Sequence, residues 1–149
     1  NMIKSTVNNF GFNFRFNDIL ASIGIEQLIK LDDHIKIVRQ IYNLYCDGLK
    51  GLDTIKLINR KLDRGQIPIY VEVLVDRRED LIYYLNKNNI QSRPFYPNLD
   101  SAPHLKSDGF FPNSEKFSKN GLFLPSGPGQ SIKNINTVID YLHKFEKQN

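Results

Sequence analysis

Cysteine is nearly absent from this 149-residue chain, and the single one, Cys46, lies inside a helical pattern. Neither a disulfide framework nor a thiolate metal site can therefore form within one chain. Long hydrophobic runs are missing too: the longest are short and interrupted by charge, so none matches a membrane-spanning helix. No basic, apolar and small-residue signal opens the chain, and together these features lead us to expect a reducing cytoplasm. Collagenous, disordered, coiled-coil, repetitive and low-complexity signatures are likewise lacking. A large excess of one charge is not found either, since 20 Lys and Arg face 16 Asp and Glu for a net +4. The only local concentration, Lys56 to Arg64, reads as a solvated loop and points only weakly to nucleic acid.

What is present suffices for one domain with a real core. Asn1 ahead of Met2 suggests a remnant before an initiator methionine, in which case the short chain is what its reading frame encodes; the alternative is a fragment of a longer protein.

Along the chain, Ile19, Leu20, Ile23, Leu28 and Leu31 fall near helical spacing behind Asn17 or Asp18 as cap. A second helix runs from about Asp33 to Leu49, with Val38, Ile41, Tyr42 and Tyr45 on its apolar stripe and Gly48 or Gly51 as its stop. The period then becomes extended. Ile55–Ile58 and Ile67–Val75 read as strands, the second central and long, with Pro68 near its beginning. Asp76 is expected to cap a helix over Arg77 to Asn88, after which Ile90–Arg93 and Phe95 resume an extended pattern. Tyr96 to Pro112 is a long loop candidate, a place where function often sits. A short helix over Ser114–Lys119, a buried strand Leu122–Leu124 and a last helix from Ser131 to about Phe145 complete the chain. His34 and His104 are read as surface or capping residues, and His143 as solvent-exposed.

This order predicts an α+β fold, a helical pair followed by a small sheet of three or four strands with helices on one face. Residues 1–51 are read as an entrance motif and helical pair, and 52–149 as a small C-terminal α+β domain. Architecture alone says little of function.

The most informative stretch is Gly11-Phe12-Asn13-Phe14-Arg15, then Asn17-Asp18-Ile19-Leu20-Ala21-Ser22-Ile23-Gly24, then Gln27-Leu28. A polar pair at a helix entrance is placed to meet an anion, because the first-turn N–H groups lack intrahelical partners. The stretch resembles the opening of the C-terminal part of DegT-type nucleotide-sugar aminotransferases. The likeness continues through Ile90-Gln91-Ser92-Arg93-Pro94-Phe95-Tyr96-Pro97-Asn98-Leu99, Pro103, Phe111-Pro112 and Leu124-Pro125. The chain resembles perosamine-synthetase-like members in particular, and the likeness covers the last two-fifths or so of such a protein.

The resemblance implies a fold type I, pyridoxal-phosphate-dependent, obligately dimeric enzyme that moves nitrogen from an amino-acid donor to a nucleotide-linked keto-deoxysugar. No lysine here stands in the family's Schiff-base context, so no catalytic residue and no metal ligand are assigned. The chain alone is expected to be inactive and to bind no cofactor. Asn13 matches the asparagine that reaches the partner subunit's cofactor phosphate, with a local turn role as the alternative. Arg15 matches an arginine near the sugar nucleotide, with an interface ion pair as the alternative. Arg93 and Tyr96 match the loop bordering the substrate, although core packing is the simpler reading of Tyr96. Asp100 departs from the family, which often has histidine there, and a carboxylate cannot donate as histidine can.

A homodimer is expected, and Asn1 to Phe10, which lacks any period, is expected to be poorly ordered in the isolated chain. Neither nucleic acid nor membrane is an expected partner. Two other readings stay open: a truncated, non-catalytic self-association module, and a small nucleic-acid-binding domain using the basic run.

Overall fold

The computed structural model describes residues 16–105 and 108–148. The expectations for Asn1 to Phe10, Asn13 and Arg15 lie outside the described residues.

Helix α1 (Asp18–Ile29) starts where the Asn17 side chain accepts a hydrogen bond from Leu20 N at 3.0 Å. Such a cap satisfies one of the donors that the first turn leaves without a partner. Its apolar residues point all round the axis, and none is buried. A single shared residue, Lys30, leads into α2 (Leu31–Gly48), which begins two residues earlier than the apolar stripe alone suggests because Asp32 and Asp33 suit its first turn. Val38, Ile41, Tyr42 and Tyr45 are buried, and Gly51 makes the following turn at φ 83°.

The sheet holds four antiparallel strands in the order β1-β2-β4-β3: β1 (Ile55–Leu57), β2 (Val71–Val75), β3 (Arg93–Pro94) and β4 (Gly121–Leu124). Between them lie α3 (Arg78–Lys87) and α4 (Pro112–Asn120), and α5 (Ile132–Glu146) follows. Pro112 occupies the first turn of α4, where a missing N–H costs nothing. On α5 the Ser131 hydroxyl caps Asn134 N at 3.1 Å.

Alternation sorts the sheet into two faces. Val71, Val73 and Val75 point one way, with Leu122, Leu124 and Ile55 opposite them in register, and all six are almost fully buried. Helices α2, α3 and α5 cover this face through Ile41, Tyr45, Leu81, Leu85, Ile135 and Leu142, which are fully buried. This is the expected α+β arrangement. Tyr45 donates from its hydroxyl to Pro125 O at 2.9 Å, and burial pushes its phenol pKa up. The neighbouring Cys46 thiol is raised as well, chiefly by burial.

Four local expectations are corrected. The central strand begins at Val71 rather than Ile67, because its partner β4 ends opposite Val71 at Leu124 and Pro68 has no N–H for a ladder. Ile67 to Tyr70 turn instead, Ile69 N donating to Ile67 O at 3.0 Å. Asp76 does not cap α3, since its N–H prolongs the β1 pairing by donating to Thr54 O, and Arg77 takes the cap position with its side chain turned to Asp80 rather than to the helix's first N–H groups. Of Ile90 to Phe95 only Arg93–Pro94 is strand, and Asn89 at φ 57° turns the chain before it. His143 is half-buried, because the crossing of α5 over the end of α2 brings Nε2 within 2.7 Å of Gly48 O, to which it donates.

The C-terminal helix is tied to the head of β1 by one carboxylate. Glu146 accepts from Asp53 N, from Thr54 N at 3.0 Å and from the Thr54 hydroxyl. Burial alone would raise its pKa, but the Thr54 and Asp53 hydrogen bonds, with Lys56 nearby, outweigh that and hold it below the usual 4.5. A pKa depressed on folding contributes stability above the unfolded value, and that contribution is lost as pH falls through the folded value. Thermal melts from pH 7 to pH 3 should therefore show Glu146→Gln with a shallower acid loss than the unmodified chain; parallel curves would show that the latch adds nothing.

Candidate functional site

The second sheet face differs in chemistry from the first. The register aligns Glu72, Phe123 and Arg93 across β2, β4 and β3, so one carboxylate, one ring and one guanidinium share this side. Glu72 is neutralised by Arg60, which comes from the basic run, and Lys56 of that run donates to Leu52 O at 2.8 Å. Arg93 has no carboxylate partner among the described residues. Its guanidinium lies instead 4.9 Å from the ring centre of Phe123, 5.1 Å from Tyr96 and 5.8 Å from Tyr70. Three ring faces attract the cation through their quadrupoles without neutralising its charge. Its fork of N–H donors remains available to an anion.

The rings are themselves supported. Phe95 stacks on Phe123 at 4.4 Å and on Phe117 of α4 at 6.2 Å, while Tyr70 meets Phe123 at 5.1 Å. Gly121, at the start of β4, is required beneath this stack: a Cβ there would collide with the Phe95 ring and the Phe117 carbonyl. The backbone of the strand can pass the ring only because no side chain intervenes.

The structure thus brings together two of the four residues singled out in the sequence, Arg93 and Tyr96, and places them on the same aromatic face. Tyr96 is 66% exposed and edge-on to Phe123, so it is not a core residue; it follows the edge strand, where no second layer covers it. Tyr70 and Phe123 were missed as site residues. Their aromatic character was visible, but their juxtaposition with Arg93 depends on the β3–β4 register, which no local pattern encodes. Asp100 sits half-buried in the short turn Leu99–Ser101, and His104 is exposed in the loop beyond it.

Beside Arg93 opens a cleft of about 610 Å³ between the α3–β3 turn, the end of β4 and the start of α5. Among the described residues, no lysine and no carboxylate lines it. An aldehyde cofactor held as a Schiff base needs a lysine amine, and its ring nitrogen needs an acid. The residues lining this cleft do not supply that pair, and no step through such a cofactor is derived from them.

Comparison with known proteins gives the family of the chain. The profile of the DegT/DnrJ/EryC1/StrS aminotransferase family matches residues 2–143. The GDP-perosamine synthase of Vibrio cholerae is 33% identical over 144 residues, covering 90% of this chain and 38% of that protein. The dTDP-3-amino-3,6-dideoxy-alpha-D-galactopyranose transaminase of Aneurinibacillus thermoaerophilus is 28% identical, covering 91% of this chain and 38% of the relative. Among solved structures, S. venezuelae DesV in complex with a ketimine intermediate superposes with a TM-score of 0.77 over 98% of this chain and 41% of its own, at 23% identity, a likeness of fold. The chain therefore spans a little over a third of the length of the curated relatives it matches. With the family profile matching residues 2–143, the chain belongs to the DegT/DnrJ/EryC1/StrS aminotransferase family.

Proposed function

We propose that this chain is the C-terminal part of a pyridoxal-phosphate-dependent aminotransferase acting on a nucleotide-linked keto-deoxysugar, in the cytoplasm, with an amino acid as nitrogen donor. The observation that carries the reading is the family match over residues 2–143, joined to an unneutralised Arg93 on an aromatic sheet face. In the complete enzyme the cofactor supplies the electron sink for moving the amino group. Asn13 would donate to its phosphate across the subunit boundary, Arg15 would face the nucleotide, and Arg93 with Tyr96 would border the sugar nucleotide. Residues 1–51 would link to the large domain and 52–149 form the small one, with α2 packed into the core of the latter.

In a full-length dimer carrying these residues, Arg93→Ala should raise the KM for the nucleotide sugar by about tenfold or more, the cost of losing hydrogen bonds to a charged group. Stability should fall by no more than about 1–3 kcal/mol, because the three exposed cation–ring contacts given up are worth about 0.5–1 kcal/mol each. An unchanged KM would remove Arg93 from the substrate site.

The 149-residue chain by itself should neither form an internal aldimine nor transaminate, as read from visible absorbance after adding pyridoxal phosphate. A saturable band abolished by changing one specific lysine would overturn this.

Homodimerisation is supported by α1. A helix that is apolar all round is normally buried all round, yet Ile19 and Ile29 are each 72% exposed and Leu28 is 67% exposed. Charge at two of these positions, Ile19→Glu with Ile29→Glu, should move the chain toward monomer in sedimentation velocity. A clean monomer of the unmodified chain at high concentration would count against the dimer, and also against the self-association module that α1 keeps as a second reading.

A further inference from the structure

One member of the basic run Lys56 to Arg64 reaches the row that carries Arg93. Arg60, in the connection between β1 and β2, folds back onto the sheet and pairs with Glu72. The Glu72 side chain is only 14% exposed, and the register sets it beside Phe123 and Phe123 beside Arg93. We propose that this ion pair keeps Arg93 open. Arg60 occupies the carboxylate that would otherwise draw the Arg93 guanidinium off its rings, and is thereby a positioning residue for the anion that Arg93 receives. The proposal rests on the reading above in one respect, that Arg93 meets an anion.

The spacing makes the competition real. Neighbouring strands lie about 4.7–4.9 Å apart, so the backbones of Glu72 and Arg93, separated by β4 alone, stand about 10 Å from one another. Both side chains are long enough to meet over that gap on their shared face. The Arg93 guanidinium already leans across the ring between them, 4.9 Å from the centre of Phe123. Ring faces hold an exposed cation weakly, whereas a carboxylate largely out of water is strongly destabilised when it loses its partner. Without Arg60, the carboxylate therefore wins. Lys56 is no substitute: it lies in register with Leu74, two residues along β2, and its amine is turned to Leu52 O at 2.8 Å and to Asp53 at 3.7 Å.

Arg60 is held in place from the core. The hydroxyl of Tyr42, a buried residue of α2, accepts from Arg60 N at 2.6 Å and donates to Ile58 O at 3.2 Å. Ile58 N in turn donates to Glu72 O at 2.8 Å. The segment that carries the guanidinium is thus tied to α2 and to β2 on either side of the ion pair. Arginine suits this position, since its planar fork matches a carboxylate and its charge does not titrate.

The test is side-chain NMR of the full 149-residue chain, reading the Arg93 Nε–H and Cδ protons, whose shifts report the rings of Tyr70, Tyr96 and Phe123. In Arg60→Gln these ring-current shifts should collapse, and contacts from Arg93 to Glu72 should appear. Adding Glu72→Gln should return Arg93 to the rings. Arg60→Lys, which keeps the charge, should leave it there. Affinity for inorganic phosphate, read at the same Arg93 resonances, should fall about tenfold in Arg60→Gln if Glu72 holds Arg93 about nine-tenths of the time, because apparent affinity falls with the competent fraction. It should recover in the double variant.

Arg93 remaining on its rings in Arg60→Gln would overturn the proposal. So would weaker phosphate binding without that movement, which is what a change in local charge alone produces. A measurement on the unmodified chain keeps the test independent of how the variants fold: the Arg60 guanidinium should rotate slowly about Nε–Cζ in its ion pair and that of Arg93 fast, and the reverse order would overturn the assignment. Phosphate failing to bind the unmodified chain would instead remove Arg93 as an anion contact, while the movement of Arg93 still decides between its rings and Glu72. None of these readouts needs cofactor or turnover, so a failed transamination assay leaves them standing, and their failure leaves the aminotransferase reading standing.

Discussion

The antiparallel seat of β4 between β2 and β3 is the constraint from which the rest follows. It fixes Val71 against Leu124 and Val73 against Leu122, and in the same register it fixes Glu72, Phe123 and Arg93 in a row on the other side. Because side chains alternate with period two, a slip of one residue would send the valines to the solvent face and the arginine into the core. Core and candidate site are thus two consequences of one pairing.

The two faces are stabilised by different physics. On one, close-packed aliphatic side chains from three helices leave Val71, Val73 and Val75 with no exposure at all. Burial there is non-directional and tolerates a choice of hydrophobic residues so long as volume is kept. On the other face, geometry is specific. Phe95, Phe117 and Phe123 stack, Gly121 makes room for the stack, and Arg93 is held over the rings with its charge intact. Ring stacking contributes about 0.5–1.5 kcal/mol per pair beyond area burial, which is enough to orient a side chain without enclosing it. An oriented but accessible cation is what a site for an anionic ligand needs.

Helix α1 obeys a third rule. Its sequence forms a helix for local reasons, a good cap at Asn17 and helix-compatible residues after it, while its apolar surface finds no cover within the described residues. Among the described residues Ile19, Ile23, Ile25 and Ile29 stay exposed, so the helix is stabilised locally and not by burial.

Much of this was legible residue by residue. The helices over Val38 to Tyr45 and Ile135 to Phe145 announced themselves by 3.6-residue spacing, Val71 to Val75 by β-branching, and the family by Asn13, Arg15 and the Arg93 to Tyr96 stretch, because each of those signals is local or fixed in spacing. Where local signals misled, a partner elsewhere in the chain had decided: β4 cut the central strand short at Val71, Thr54 O drew the Asp76 N–H away from a cap, and Gly48 O took the His143 ring that the helix wheel placed in solvent. The site shows the same division. The sequence by itself determined which elements form and that Arg93 is a cation on an edge segment. Only the tertiary structure decided that Tyr70, Tyr96 and Phe123 surround it and that amides from the turn after α3 and from the start of α5 meet beside it, because register and helix crossing are set by contacts between residues far apart in the chain.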